Sequence, residues 1–201
     1  MLSSRTNWKS PIAAMTEFTL LKGFAQIMPE VGGSRTWRNG DFKRYHEEYQ
    51  AALFTYGLNY LKPLATWEYS HNWEHKSVRG IKPIQGGGDF AVRARFSDDA
   101  DWTYKYIELK EWVPQELPTG DTLQSIINKL TKYYSRDLIV AIYVNRATTI
   151  SFQGLTIPKL HINQLWIYGH QANKLCFLTG DLLGPCQHYH FEYPCFPKQA
   201  A

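Results

Sequence analysis

Cysteine is scarce in this chain, and the little there is does not pair. Cys176, Cys186 and Cys195 are odd in number and show no CxxC spacing, which excludes a disulfide framework and points to a reducing compartment. Long apolar runs are missing too. The longest, Leu138 to Val144, falls far short of the ~20 residues a membrane-spanning helix needs. Met1 to Phe18 lacks the unbroken apolar stretch of a signal peptide, so a cytoplasmic protein is expected. Repeats and low-complexity stretches are absent, and no charge of one sign dominates: the formal net charge is +4.

What is present is an ordinary globular composition with many aromatics. The chain has 201 residues, 44% hydrophobic and 20% charged, including 7 Trp, 13 Tyr and 10 Phe. Such a length suits a single domain over 1–201. The aromatics suit strands facing a core, and equally a surface that stacks on bases. Residues 1–97 carry 13 Lys/Arg against 8 Asp/Glu, whereas residues 98–201 carry 9 against 10. A basic first half permits a polyanion-binding face.

Along the chain, residues 1–14 are polar and patternless and read as a flexible arm. A short helix is predicted from about Thr16 to Met28, ended by Pro29. The clearest helix starts at Asp41, with apolar residues at Phe42, Tyr45, Tyr49, Leu53, Tyr56 and Tyr60, and stops at Pro63. From Leu64 to His75, aromatic and polar residues alternate as in a strand, with His71 and His75 on its surface. Gly86-Gly87-Gly88 leads into a strand from Asp89 to Phe96, and a polar turn separates it from a second, Trp102 to Trp112. Asp121 is expected to cap the next helix, with Gln124 in capping-box position and an apolar stripe running from Leu123 to Tyr134. Leu138 to Val144 reads as a strand buried on both faces. Leu165–Tyr168 with Lys174–Leu178 reads as a hairpin, followed by an irregular tail. The expected architecture is α/β: a mixed central sheet flanked by helices in the order α-β-β-β-α-β, with a β-rich extension over 147–201.

Chemistry concentrates on the hairpin. Glu108 and Lys110 are two apart on one strand and so share a face. An even turn sets Asp89 on that face, opposite Glu108 or Lys110, with cross-strand Cβ atoms ~5 Å apart, whereas an odd turn points it away. Two converging carboxylates repel unless a cation sits between them. A hard divalent ion such as Mg²⁺ suits them, and the Leu109 carbonyl offers another oxygen. Lys110 beside it could orient or deprotonate a water, or stabilise a developing phosphorane charge. The bland alternative is a solvated strand face with a cross-strand salt bridge.

Asp89 at the head of one strand, with Glu108-Leu109-Lys110 on the next, resembles the PD-(D/E)XK nuclease superfamily (restriction-endonuclease-like). The order of elements over residues 41–146 matches that superfamily's core. The resemblance implies a Mg²⁺-dependent endonuclease, with Mn²⁺ as substitute, cutting DNA and less often RNA, in restriction, mobile-element excision or repair. It also implies an acid from the first helix, Glu47 or Glu48, of which Glu48 follows the stripe more closely, and a polar residue of the second helix, Gln124. Asp89 follows Gly88 where the motif's name has Pro. Arg93 and Arg95 share the parity of Asp89 and could meet phosphates, as could Arg35, Arg38, Lys43, Arg44 and Lys129. Cutting both strands would call for two copies, hence a homodimer. The alternative is a non-catalytic nucleic-acid-binding or assembly subunit of the same fold. A rival metal site is offered by Cys186, His188, His190 and Glu192, alternating on one strand with Cys195 nearby; Cys and His suit Zn²⁺.

Overall fold

The structure is a computed structural model of the chain. It describes residues 7–20, 46–70, 88–113, 121–145, 148–171, 175–185 and 187–192. The expected helix over Thr16–Met28 starts earlier, at Pro11, in α1 over Pro11–Leu20; residues 21–28 lie outside the described residues. The Ser10-Pro11 pair explains the shift: proline is suited to the first helical position, where its missing N–H costs nothing. Within residues 7–14, part of the expected arm, Pro11 and Ala14 are buried while Asn7, Ser10, Ile12 and Ala13 are exposed. Lys9 forms an isolated β-bridge with Tyr69, and Trp8 lies against Tyr104.

The long amphipathic helix is α2, described over His46–Leu61. The strands are β1 (Thr66–Ser70), β2 (Phe90–Arg95), β3 (Thr103–Trp112), β4 (Tyr134–Val144), β5 (His161–His170), β6 (Leu175–Thr179) and β7 (His188–Glu192). They form one seven-stranded sheet whose spatial order equals chain order. β1, β2 and β3 make an antiparallel meander. β4 and β5 run parallel to β3, and β6 and β7 return antiparallel. The tail is therefore more regular than its sequence suggested.

The second predicted helix is shorter than its apolar stripe. α3 spans Leu123–Lys129 and gives way to a three-ten turn, Leu130–Lys132, so Tyr133 and Tyr134 leave the helical phase. Its N-cap is Thr122, whose hydroxyl accepts from the Ser125 N–H at 3.0 Å, rather than the expected Asp121. Asp121 instead accepts from the Ser125 hydroxyl and from Lys129.

Helices cover both faces. α1 and α2 pack on one, with Met15, Tyr49, Leu53, Phe54, Phe90, Ile107, Tyr143 and Tyr168 in a continuous apolar core. α3 and the segment after β4 cover the other over Ile127, Leu130, Val140, Ile142, Leu165 and Ile167. The parallel strands β4 and β5 are nearly all apolar in their central stretches because both faces are buried. β3 is the seam, antiparallel to one neighbour and parallel to the other. No helix among the described residues is long and apolar enough to cross a membrane.

Candidate active site

The register of the hairpin decides where Asp89 goes. Ala94 pairs with Thr103 and Phe90 with Ile107, so the connection is even in length; Asp89 stands one residue before β2, past the last paired position, with Glu108 of β3 and Glu47 of α2 both within electrostatic reach. Gly88 sits so close to β3 that a Cβ there would lie 2.7 Å from the Ile107 carbonyl oxygen. This is a close backbone approach that only glycine permits. Asp89 then reaches across: its Oδ2 accepts the Leu109 N–H at 2.6 Å, the amide between Glu108 and Lys110.

Glu108 is nearly sealed, at 8% exposure. Its Oε1 accepts from Lys110 Nζ at 2.5 Å and from the Tyr133 hydroxyl at 2.6 Å. The Lys110 ammonium also lies 5.6 Å from the centre of the Tyr133 ring. Tyr133 belongs to this cluster, although its sequence position read as one more residue of a helical stripe. Only the early end of α3 frees it to turn toward Glu108.

The electrostatics follow from this packing. Asp89 is exposed at the rim, yet its pKa is raised. Crowding of the carboxyl by protein contributes most, then the charge of Glu108; the Leu109 N–H and Lys110 pull the other way, and Glu47 adds a smaller repulsion. For Lys110, burial disfavours the ammonium, but hydrogen bonds to Glu108 and Tyr133 outweigh it and raise the pKa. Lys110 is therefore a fixed cation at neutral pH. It suits orienting water and stabilising negative charge, and is poorly placed to deprotonate anything.

The two helix acids separate. Glu47 is exposed on the first turn of α2, within electrostatic reach of Asp89. Glu48 is held by Lys9 and lies beside Tyr69, whose hydroxyl pKa is raised chiefly by burial and then by Glu48. Gln124 is engaged elsewhere. Its amide donates to the Thr156 carbonyl at 2.7 Å and accepts the Thr156 N–H at 2.9 Å, clamping the segment after β4. Arg93 and Arg95 are also occupied. Arg93 pairs with Glu68 between the rings of Trp8 and Trp102, at 4.5 and 4.0 Å from their centres. Arg95 bonds Asp98 and leans on Trp102. Lys129 is mostly exposed and pairs with Asp121 at 2.6 Å. Arg35, Arg38, Lys43, Arg44, His71, His75, Cys186 and Cys195 lie outside the described residues.

In the rival site His188, His190 and Glu192 are exposed along the edge strand β7. His188 lies against the Phe152 ring and His190 bonds Gln171. Among the described residues, no group of three or more His, Cys, Asp or Glu converges as a metal site. The Asp89–Glu108 pair would offer a cation two carboxylates and the Leu109 carbonyl. After burial, the charge of Glu108 is the next cause of the raised pKa of Asp89, and a divalent ion would relieve that repulsion, with water in its remaining positions. The carboxylates and the carbonyl are oxygen donors, the kind a hard cation takes, without a third acid converging on them among the described residues.

A second polar cluster lies on the opposite face of the sheet. Glu111 accepts from the Asn145 amide at 2.5 Å and pairs with His46 at 3.6 Å, and His46 bonds Gln50 at 2.8 Å. Further in, His170 joins the Tyr49 hydroxyl and the Cys176 thiol.

Comparison of the chain with protein-family models, with curated proteins and with solved structures gave no match.

Proposed function

We propose that this protein is a divalent-metal-dependent nuclease of the PD-(D/E)XK kind that hydrolyses phosphodiester bonds in DNA. The observation carrying this reading is the bond from the Leu109 amide to Asp89. It ties one carboxylate to the backbone between a buried carboxylate, Glu108, and a half-buried cation, Lys110. A strand face built only for solubility has no need of a charge pair so deeply packed, because such pairs give little stability for their desolvation.

Asp89 and Glu108, with the Leu109 carbonyl, are the ligands proposed for Mg²⁺ or Mn²⁺, and Glu47 is the helix acid nearest to them. A divalent cation at this position supplies an acidified water and screens the charge of the phosphodiester. Tyr133 holds the Glu108 carboxylate through its hydroxyl. Lys110, charged throughout the neutral range, faces the oxygens on which negative charge builds as water attacks phosphorus in line.

A second reading is a non-catalytic nucleic-acid-binding subunit. It draws on the saturation of Glu108 Oε1 by two donors and on the lack of a third converging acid among the described residues. Nicking of supercoiled plasmid with Mg²⁺ or Mn²⁺ separates the two. Nuclease action predicts cleavage by wild type, reduced by about a thousandfold in Glu108→Gln and Lys110→Met. Cleavage equal in wild type and both variants, or none from wild type on single- and double-stranded substrates, would overturn it.

A further inference from the structure

Beside the acid pair lies a small pocket of about 140 Å³ whose walls include Lys110, Lys129, Lys132 and Tyr133. Pockets for drug-sized ligands run to ~300 Å³ or more, so this one suits a compact group. Its cations come from three elements: Lys110 from β3, Lys129 from the last turn of α3, and Lys132 from the three-ten turn. The premature end of α3 is what swings Lys132 round to join the others. Two of the three ammoniums flank one ring, with Lys110 at 5.6 Å and Lys132 at 5.2 Å from the centre of Tyr133.

Two of the three lysines are already ion-paired, Lys110 with Glu108 and Lys129 with Asp121, so among the described residues Lys132 is the cation of the wall that keeps its charge for a ligand. Asp121 is spent on Lys129 and on the Ser125 hydroxyl, and Glu111 on Asn145 and His46. Lys132 has no ion pair among the described residues. Ile126 and Leu130 form an apolar floor, which lowers the local dielectric and strengthens attraction for a charge seated there. Lys110 and Tyr133 belong to both the pocket and the Glu108 cluster.

We propose that this pocket seats a backbone phosphate of the nucleic acid, the neighbour of the phosphate presented to Asp89 and Glu108. This deepens the nuclease reading and rests on it for the identity of the polymer. The pocket fixes the strand by one phosphate so that the next is delivered to the acids, which is positioning without sequence readout.

The test is anisotropy binding of a fluorescent DNA duplex in EDTA, where no cleavage occurs, over a salt series. Each lost phosphate contact lowers the salt slope by about one and weakens binding by about fivefold near physiological salt. Lys129→Gln with Lys132→Gln, which removes that one phosphate contact, should therefore bind about fivefold more weakly with a slope reduced by about one. Both side chains are exposed, so the fold should survive, and the melting temperature checks this. Lys159→Gln, an exposed lysine outside the pocket, is the control. Three results would each overturn the proposal: an unchanged slope in the double variant, an equal loss in the control, or affinity that depends on a terminal 5′-phosphate of the duplex. Failure of the nuclease reading looks different, since cleavage would be missing while the pocket variants still lost binding.

Discussion

Two clusters in this molecule hold side chains that enzymes use for chemistry, and their surroundings set them apart. Cys176, His170 and Tyr49 form a hydrogen-bonded chain under α2. Burial pushes the His170 pKa down to about 3 and the Cys176 thiol strongly up, so both groups are neutral across the physiological range. A thiol that does not ionise is no nucleophile, whatever its partner. In the other cluster, that of Asp89, Glu108 and Lys110, Lys110 lines a pocket and the groups are held in tension: the aspartate is pushed toward protonation and the lysine kept from losing its proton. Residue type alone would nominate either cluster. Solvent access and the sign of neighbouring charges choose between them.

The comparison can be broken most severely in acid. His170 takes up no proton when folded until about pH 3, whereas unfolded it titrates near pH 6.5. Between those values the unfolded chain binds the extra proton, so stability falls as pH drops from about 6.5, by up to ~1.4 kcal/mol per pH unit for one proton. Urea titrations at several pH values should show this slope, and His170→Gln should flatten it. An imidazole signal for His170 that titrates above pH 5 would show that the cluster is open after all.

A smaller effect is expected at Lys110. Lys110→Met strands the buried Glu108 carboxylate with Tyr133 as its sole remaining partner in this cluster, costing about 1–3 kcal/mol at neutral pH. Equilibrium unfolding measures it. An unchanged stability would mean that Glu108 is solvated and the two clusters differ less than described.

The smallest effect has the opposite sign. Folding raises the Asp89 pKa, so the folded chain binds more protons and stability declines as pH rises past the ordinary carboxylate range. Asp89→Asn removes that cost and should stabilise at pH 7 by less than ~1 kcal/mol, because the group is exposed. Millimolar Mg²⁺ should raise the melting temperature of wild type by mass action and leave that of Asp89→Asn unmoved. Destabilisation by the substitution would make Asp89 a purely structural cap on the Leu109 amide.

Much of this arrangement was legible from periodicity. The α2 stripe, the alternation in β2 and β3 and the unbroken apolar run of β4 each announce their element, and spacing alone puts Glu108 and Lys110 on one face. The turn between β2 and β3 was not legible, since parity depends on how residues 96–102 fold and composition does not fix that. Tyr133 was hidden for a related reason: its apolar spacing continues the α3 stripe, and nothing local says that the helix stops at Lys129. The engagement of Arg93 by Glu68 and two tryptophans, and of Gln124 by Thr156, depends on partners from other segments. Glu47 and Glu48 are neighbours in sequence, and only the position of Lys9 separates their roles.

One glycine links the far end of the chain to these acids. At Gly57, mid-way along α2, a Cβ would come within 3.1 Å of Leu178 and Phe191, side chains of β6 and β7. Leu178 and Phe191 thus form part of the bed of α2, the helix that also carries Glu47.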